Sequence, residues 1–186
     1  MIYLIAAIYG AIIWRIRGGA FTAATGIDLG ADGGRAFCGA AFAAPLAYLA
    51  HDWRLLALAP AFFIGLALTG WGPYMDMNAD HGHEKPSPWS WIPGRIGIPA
   101  DSLAHDIIGM ATVGTLCVAF PAGVLWWLHL SWWWVLGVGP LFAPLYLLAD
   151  RLPLPTCAVV DDGPAWGEIF VGALLGVALV VGVLHG

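Results

Sequence analysis

The chain has 186 residues, of which 60% are hydrophobic and only 10% are charged, and its mean hydropathy is +0.80. So few charged side chains cannot cover the surface of a soluble domain, so this composition excludes an ordinary soluble protein and predicts one integral membrane domain. The net charge of −5 and the scatter of only seven Lys and Arg residues exclude nucleic acid as a partner, because nucleic-acid binding needs basic side chains at the phosphates.

Six apolar segments predict an all-α fold, a polytopic membrane helix bundle of about six transmembrane helices with the lipid bilayer as its partner. The segments are expected at residues 1–16, 36–50, 55–71, 103–128, 131–149 and 164–185, within a single domain over 1–186. The first segment has no basic residue before its apolar run, which predicts a retained helix rather than a signal peptide. A short connection at 51–54 predicts a hairpin of the second and third helices, and a long loop at 72–102 precedes the fourth.

The basic residues predict how the helices are oriented. Those that border loops on one side are Arg15, Arg17, Arg35, Lys85, Arg95 and Arg151. Arg54 alone lies on the other side, so the positive-inside rule places the loops 17–35, 72–102 and 150–163 in the cytoplasm and both termini outside it. Trp residues prefer the membrane boundary. They divide into an expected outer belt of Trp126, Trp127 and Trp132 to Trp134 and an inner belt of Trp14, Trp71, Trp89, Trp91 and Trp166.

Small residues predict where helices approach closely in lipid. Gly172 and Gly176 form a G-x-x-x-G pattern in the last segment, and the run from Gly39 to Ala44 supplies small residues in the second. We expect helix contacts at both places, within the chain or with a second copy or another membrane protein.

The long loop begins with a D-x-N-x-D sequence from Asp76 to Asp80, the spacing of the first ligands of a calcium-binding loop. The rest of that pattern fails, because His81 occupies the position of the turn glycine and Ser87 that of the closing glutamate, so an EF-hand is excluded. Asp80, His81 and His83 remain candidate ligands for a divalent metal, since two imidazoles one residue apart can both reach an ion from an extended backbone. The alternative is a polar surface loop without metal.

Polar residues also stand where the fourth helix begins. Asp101 or Ser102 is a good N-cap, and His105 lies four residues after Asp101 on the same helical face, where a carboxylate can orient an imidazole. Asp106 lies deeper and on a different face, and ionisable groups drawn into a membrane helix indicate function. His105 and Asp106 are therefore candidate catalytic groups, together with Asp76 at the start of the long loop. The competing interpretation is a structural ion pair with Arg17, Arg35 or Arg95.

Arginines around the first loop predict an anion site. Arg15 and Arg17 are followed by paired glycines, and Arg35 follows a second glycine pair; arginine forks grip phosphate, and glycine exposes backbone N–H groups at a helix start. Together with Arg95 they form the candidate substrate-binding set. The alternative is that they only anchor helix ends at the interface. Glu168, at the start of the sixth helix, interacts favourably with the helix dipole or pairs with these arginines, and it is the fourth catalytic candidate.

Three stretches carry a resemblance to known proteins: Trp14 to Gly19, Gly70 to Met77, and Trp166 to Glu168. In these stretches the chain resembles small uncharacterised polytopic membrane proteins of phages, prophages and proteobacteria. The resemblance implies a bacterial or phage origin, and with it the inner (cytoplasmic) membrane, but it implies no activity. The positions that it brings forward for testing are Arg15, Arg17, Asp76 and Glu168.

The middle of the predicted segments bears on function. No Asp, Glu, Lys, Arg or His lies there, and proton-driven carriers need ionisable groups at that depth, so a carrier of this type is disfavoured. The first hypothesis is an integral inner-membrane protein with a charged site at its cytoplasmic face, which binds or modifies a lipid headgroup or another phosphate-bearing substrate. Two alternatives stay open: a channel or facilitator for a small solute, and an accessory structural subunit of a membrane complex.

Overall fold

The structure is a computed structural model that describes residues 1–16, 30–69, 96–99, 102–151 and 165–185. Every regular element in these ranges is a helix. In chain order they are α1 (Ile2–Ile16), α2 (Gly30–Ala50), α3 (a 3-10 turn at Trp53–Ala57 continued by Leu58–Leu68), α4 (Leu103–Trp127), α5 (Trp133–Val138, a 3-10 turn at Gly139–Leu141, and Phe142–Arg151) and α6 (Ala165–Leu184). The prediction of an all-helical chain with six helices is confirmed for the described residues.

The second helix begins at Gly30, earlier than the predicted start at residue 36. Glycine costs about 1 kcal/mol relative to alanine inside a helix, which is why Gly33 and Gly34 predicted a loop. In the fold Gly34 is buried and Gly33 is half-buried, so tertiary packing holds this turn where intrinsic propensity would not. The correction places Arg35 on the second turn of a helix instead of at the edge of a loop.

Consecutive helices from α2 to α6 pack side by side, and α1 closes the bundle by packing along α6. Contacts between α1 and α2 are fewer, and α2 also touches α6. Neighbouring helices run antiparallel: the Tyr3 hydroxyl at the start of α1 lies 2.7 Å from Nε2 of His185 beyond the end of α6, and Arg15 near the end of α1 meets Glu168 near the start of α6. Helix ends therefore gather at two opposite ends of the bundle.

These two ends differ in chemistry. The charged end is defined by Arg15, Arg35, His105 and Glu168. The tryptophan end is defined by Trp53, Trp126, Trp127, Trp133 and Trp134, all of which are exposed. The arginines separate in the way the sequence predicts, because Arg15 and Arg35 lie at the charged end and Arg54 at the tryptophan end.

Glycines stand at the contacts between neighbouring helices. A Cβ on Gly176 would overlap the carbonyl oxygen of Ala6 in α1, and a Cβ on Gly172 would lie 2.5 Å from that of Gly10. The other close approaches are Gly39 to Ala59 between α2 and α3, Gly65 to Cys117 between α3 and α4, Gly114 to Gly139 between α4 and α5, and Gly167 to Tyr146 between α5 and α6. The G-x-x-x-G pattern thus joins α6 to α1 inside the chain, so this face is not available to another subunit.

Large apolar side chains are exposed on the sides of the helices. On α1, the side chains of Leu4, Ile5 and Ile8 are 64%, 59% and 54% exposed. Among the described helices, Leu103–Trp127 and Trp166–Leu184 are long and apolar enough to cross a membrane. Ile2–Arg15, Trp53–Leu68 and Trp133–Ala149 are apolar but shorter.

Trp14 corrects the prediction of an inner tryptophan belt. Its side chain is only 1% exposed, and its ring packs edge-to-face against Phe142 of α5 at 5.9 Å between centroids. Trp14 follows Ala6 and Gly10 at four-residue steps, so it lies on the face of α1 that contacts α6. The prediction that Trp14 faces a membrane boundary is therefore wrong, because its ring is buried between helices.

Candidate functional site

The charged end brings two of the predicted site residues into contact. Arg15, in the last turn of α1, donates from Nη1 to Oε2 of Glu168, in the first turn of α6, over 3.4 Å. The two side chains are 27% and 21% exposed, so the pair lies at the rim of the bundle, partly shielded from solvent. The tight packing of Gly172 against α1 fixes the two helices beside this pair. The residues lie 153 positions apart in the sequence, so only the fold brings them together.

The contact between Arg15 and Glu168 is loose for an ion pair. Charge-assisted N–H···O bonds are usually about 2.7–2.9 Å long, and arginine often grips a carboxylate with two nitrogens at once. Arg54 does so with Asp52 at the tryptophan end, where Nε and Nη2 donate over 2.9 and 2.7 Å. Arg15 reaches Glu168 through one nitrogen at 3.4 Å. A guanidinium held this loosely can turn toward another anion at a small cost.

Arg35 lies at the same end of the bundle. It stands on the second turn of α2 and is half-buried. Together with Arg15 it gives this end two cations, and the N-termini of α2, α4 and α6 point to the same end. The C-termini of α1, α3 and α5 lie there too, and their partial negative charges offset those of the three N-termini, so the attraction for an anion comes from the guanidinium groups.

His105 and Asp106 lie in the first turn of α4. The Ser102 hydroxyl accepts a hydrogen bond from the His105 backbone N–H over 3.2 Å, so the predicted N-cap is Ser102. His105 Nδ1 lies 3.8 Å from Asp106 Oδ1, and the two side chains are 18% and 48% exposed. The two predicted acid–base groups therefore contact each other, although the sequence placed them on different faces. Asp101, the expected partner of His105, lies outside the described residues.

Several predicted site residues lie outside the described residues. These are the catalytic candidate Asp76, the substrate-binding candidates Arg17 and Arg95, and the metal-ligand candidates Asp80, His81 and His83. Within the described ranges no group of three or more His, Cys, Asp or Glu side chains could hold a metal ion. The metal hypothesis stays a prediction about the long loop.

Hydroxyl groups inside the bundle bond to their own helices. Thr112 and Thr115 of α4 each donate to the carbonyl four residues earlier, over 2.7 Å. Thr69, the one buried polar residue among those described, donates to Gly65 in the same way over 2.9 Å. These hydroxyls serve their own backbone, so in the described helices they do not build a polar path from one end of the bundle to the other.

Two polar contacts at the tryptophan end were not predicted. Asp52 caps the 3-10 turn of α3 and binds Arg54, and the hydrogen bonds from the Arg54 side chain and backbone lower the pKa of Asp52. Its signal in the sequence is an acid two residues before a base in a tight turn. Tyr3 and His185 meet with stacked rings 6.4 Å apart. They are separated by 182 residues, and no sequence pattern links them.

No protein-family model, curated protein or solved structure matches this chain.

Proposed function

We propose that this chain is an integral protein of a bacterial inner membrane, with the charged end in the cytoplasm and the tryptophan end on the outer side. Three observations support this proposal: helices long and apolar enough to cross a membrane, large exposed side chains such as Leu4 and Ile8 on helix sides, and exposed tryptophans gathered at one end. The orientation is supported by the arginines, since Arg15 and Arg35 stand opposite the end that carries Arg54.

We infer further that the charged end binds a phosphate-bearing group, in the simplest case the headgroup of an anionic lipid. The observation that carries this inference is the loose pair of Arg15 and Glu168 at the rim of the bundle. An ion pair that served stability alone would gain most from short, bidentate geometry, as Arg54 and Asp52 have. Arg15 at 3.4 Å can exchange the Glu168 carboxylate for a phosphate without breaking a strong bond.

Each residue of the charged end has a proposed role. Arg15 and Arg35 bind the phosphate, and Glu168 holds Arg15 in place when the site is empty. His105, beside Asp106, lies at the same end of the bundle. Its imidazole is the kind of group that acts as a general acid or base, which the modification of a headgroup would require. A solute channel finds less support, because Thr112 and Thr115 bond within their own helix.

Binding of phosphatidylglycerol to the purified chain, counted by native mass spectrometry, tests the phosphate site. Arg15→Gln should weaken binding about tenfold, because a hydrogen bond to a charged group contributes roughly 1.5–3 kcal/mol. Arg54→Gln is the matched control, since it removes the same charge at the other end and should leave the affinity within about twofold. Competition by inorganic phosphate distinguishes a lipid headgroup from a soluble phosphate compound. Equal effects of the two substitutions would contradict the proposal.

A further inference from the structure

The contact between Arg15 and Glu168 leaves both charges open to a ligand. The two side chains are 27% and 21% exposed, so neither is covered completely by the other. Their contact joins Nη1 of Arg15 to Oε2 of Glu168 over 3.4 Å. A guanidinium has five N–H donors and an ionised carboxylate has about four acceptor positions, and this contact uses one of each. A ligand at this rim of the bundle therefore meets a cation and an anion side by side.

An anion that binds Arg15 also comes close to Glu168. When the guanidinium turns toward a phosphate, the carboxylate loses this cation as a neighbour and gains the negative charge of the phosphate in its place. Like charges at such short range repel each other, and partial burial weakens the screening by salt. A phosphate group without any cation of its own is therefore attracted by Arg15 and repelled by Glu168.

The other charges at this end do not shift the balance toward an anion. The last turn of α1 lies beside the first turn of α6, so the partial negative charge of one helix end offsets the partial positive charge of the other. The described side chains add one further cation, Arg35, and one further anion, Asp106. Among the side chains that the structure describes, the charged end thus carries as many carboxylates as guanidinium groups.

We propose that this site prefers an aminoethyl phosphate headgroup, in which two carbon atoms join a phosphate to an ammonium, over a phosphate group without a cation. The phosphate binds Arg15 and the ammonium binds Glu168, so the ligand replaces one ion pair by two. The two-carbon linker keeps the two charges close together, which lets one ligand reach both side chains. This inference rests on the phosphate site of the proposed function and names the class of ligand that the site takes.

Lipid binding to the purified full chain, counted by native mass spectrometry, tests the preference. Phosphatidylethanolamine and phosphatidylglycerol with identical acyl chains are compared, because both carry the phosphate and only the first carries the ammonium. The wild-type chain should bind phosphatidylethanolamine about fivefold more tightly, which corresponds to the contribution of a partly exposed ion pair. Glu168→Gln should lower the affinity for phosphatidylethanolamine, which loses its carboxylate partner, and raise the affinity for phosphatidylglycerol, which is no longer repelled.

The outcomes distinguish this inference from the phosphate site itself. Asp52→Asn is the matched control, because it removes a carboxylate at the tryptophan end, and it should leave the ratio of the two affinities unchanged. If Arg15→Gln weakens both lipids but the wild type binds them within about twofold, or Glu168→Gln changes both affinities in the same direction, the ammonium contact is overturned and the phosphate site stands. If Arg15→Gln leaves both affinities unchanged, the phosphate site is overturned as well.

Soluble O-phosphoethanolamine identifies the source of the headgroup. If it displaces phosphatidylethanolamine at concentrations where inorganic phosphate does not, a soluble aminoethyl phosphate is a sufficient ligand. If phosphatidylethanolamine is preferred and neither compound displaces it, the ligand is the membrane lipid. Both results support the ammonium contact, whereas equal displacement by inorganic phosphate and O-phosphoethanolamine would contradict it.

Discussion

Substitution of Gly176 tests the close contact between α1 and α6. In Gly176→Ala, the new Cβ would overlap the Ala6 carbonyl oxygen and lie 3.1 Å from the Cα of Gly10, whereas ordinary contacts begin at 3.4 Å. Both neighbours are backbone, so no side chain can move aside and α1 and α6 must separate. Overpacking of this kind costs about 1–3 kcal/mol. Alanine also gains about 1 kcal/mol of helix propensity over glycine, which hides part of that cost.

Gly123→Ala removes this ambiguity. Gly123 lies inside α4, and a Cβ there meets nothing within 4 Å, so this variant has the propensity gain without the clash. The difference between the two variants isolates the contact of α6 with α1 and should be about 1–3 kcal/mol. The free energy of unfolding in mixed micelles, followed by tryptophan fluorescence, gives both values. If the two alanine variants have the same stability, the close approach of α1 and α6 does not exist.

Three further predictions concern other parts of the fold. Hydrogen bonds from Arg54 lower the pKa of Asp52, so the contribution of this pair is present above the ordinary pKa of about 4 and is lost as the pH falls through the lower folded value. The protection of amides in the Trp53–Ala57 turn, measured relative to their intrinsic exchange rates, should fall only in acid, and Asp52→Asn should abolish that pH dependence. His129 follows α4 in the left-handed backbone conformation, with φ of 59°. His129→Val should therefore lower the free energy of unfolding by about 1–2 kcal/mol, whereas His129→Gly should change it by less than that amount. Trp14→Ala should cost about 3–5 kcal/mol because the ring is buried, whereas Trp127→Ala, at 61% exposure, should stay within about 0.5 kcal/mol. Equal losses for the two tryptophans would show that Trp14 faces outward.

Hydrophobic patterning was sufficient to predict the six helices, because each is an apolar run bounded by polar or glycine-rich sequence. It failed at Gly30–Arg35, where packing overrides the low helix propensity of glycine, and at Trp14, where depth was used without helical direction. The four-residue spacing of Ala6, Gly10 and Trp14 was visible in the sequence and would have indicated a shared face. Small residues were informative because backbone contact leaves no room for a side chain.

The candidate site was predictable in residue type but not in pairing. Arg15 and Glu168 stood out because both are charged groups at the ends of apolar helices, yet the sequence offered several partners for each. Their pairing depends on the antiparallel contact of the first helix with the last, which no local signal reveals. For the same reason Tyr3 and His185 could not be predicted as partners. Asp76 and the His81–His83 tract remain predictions from sequence.

The central claim is that Arg15 binds the phosphate of a ligand and does not only pair with the Glu168 carboxylate. Phosphatidylglycerol affinity of Glu168→Gln, measured beside Arg15→Gln, tests this claim most directly. An anion site predicts opposite signs: loss of Arg15 weakens binding, and loss of Glu168, the carboxylate that competes for the guanidinium, strengthens it. A purely structural ion pair predicts that both variants lose stability by up to about 1 kcal/mol and bind the lipid as the wild type does, and that result would contradict the account.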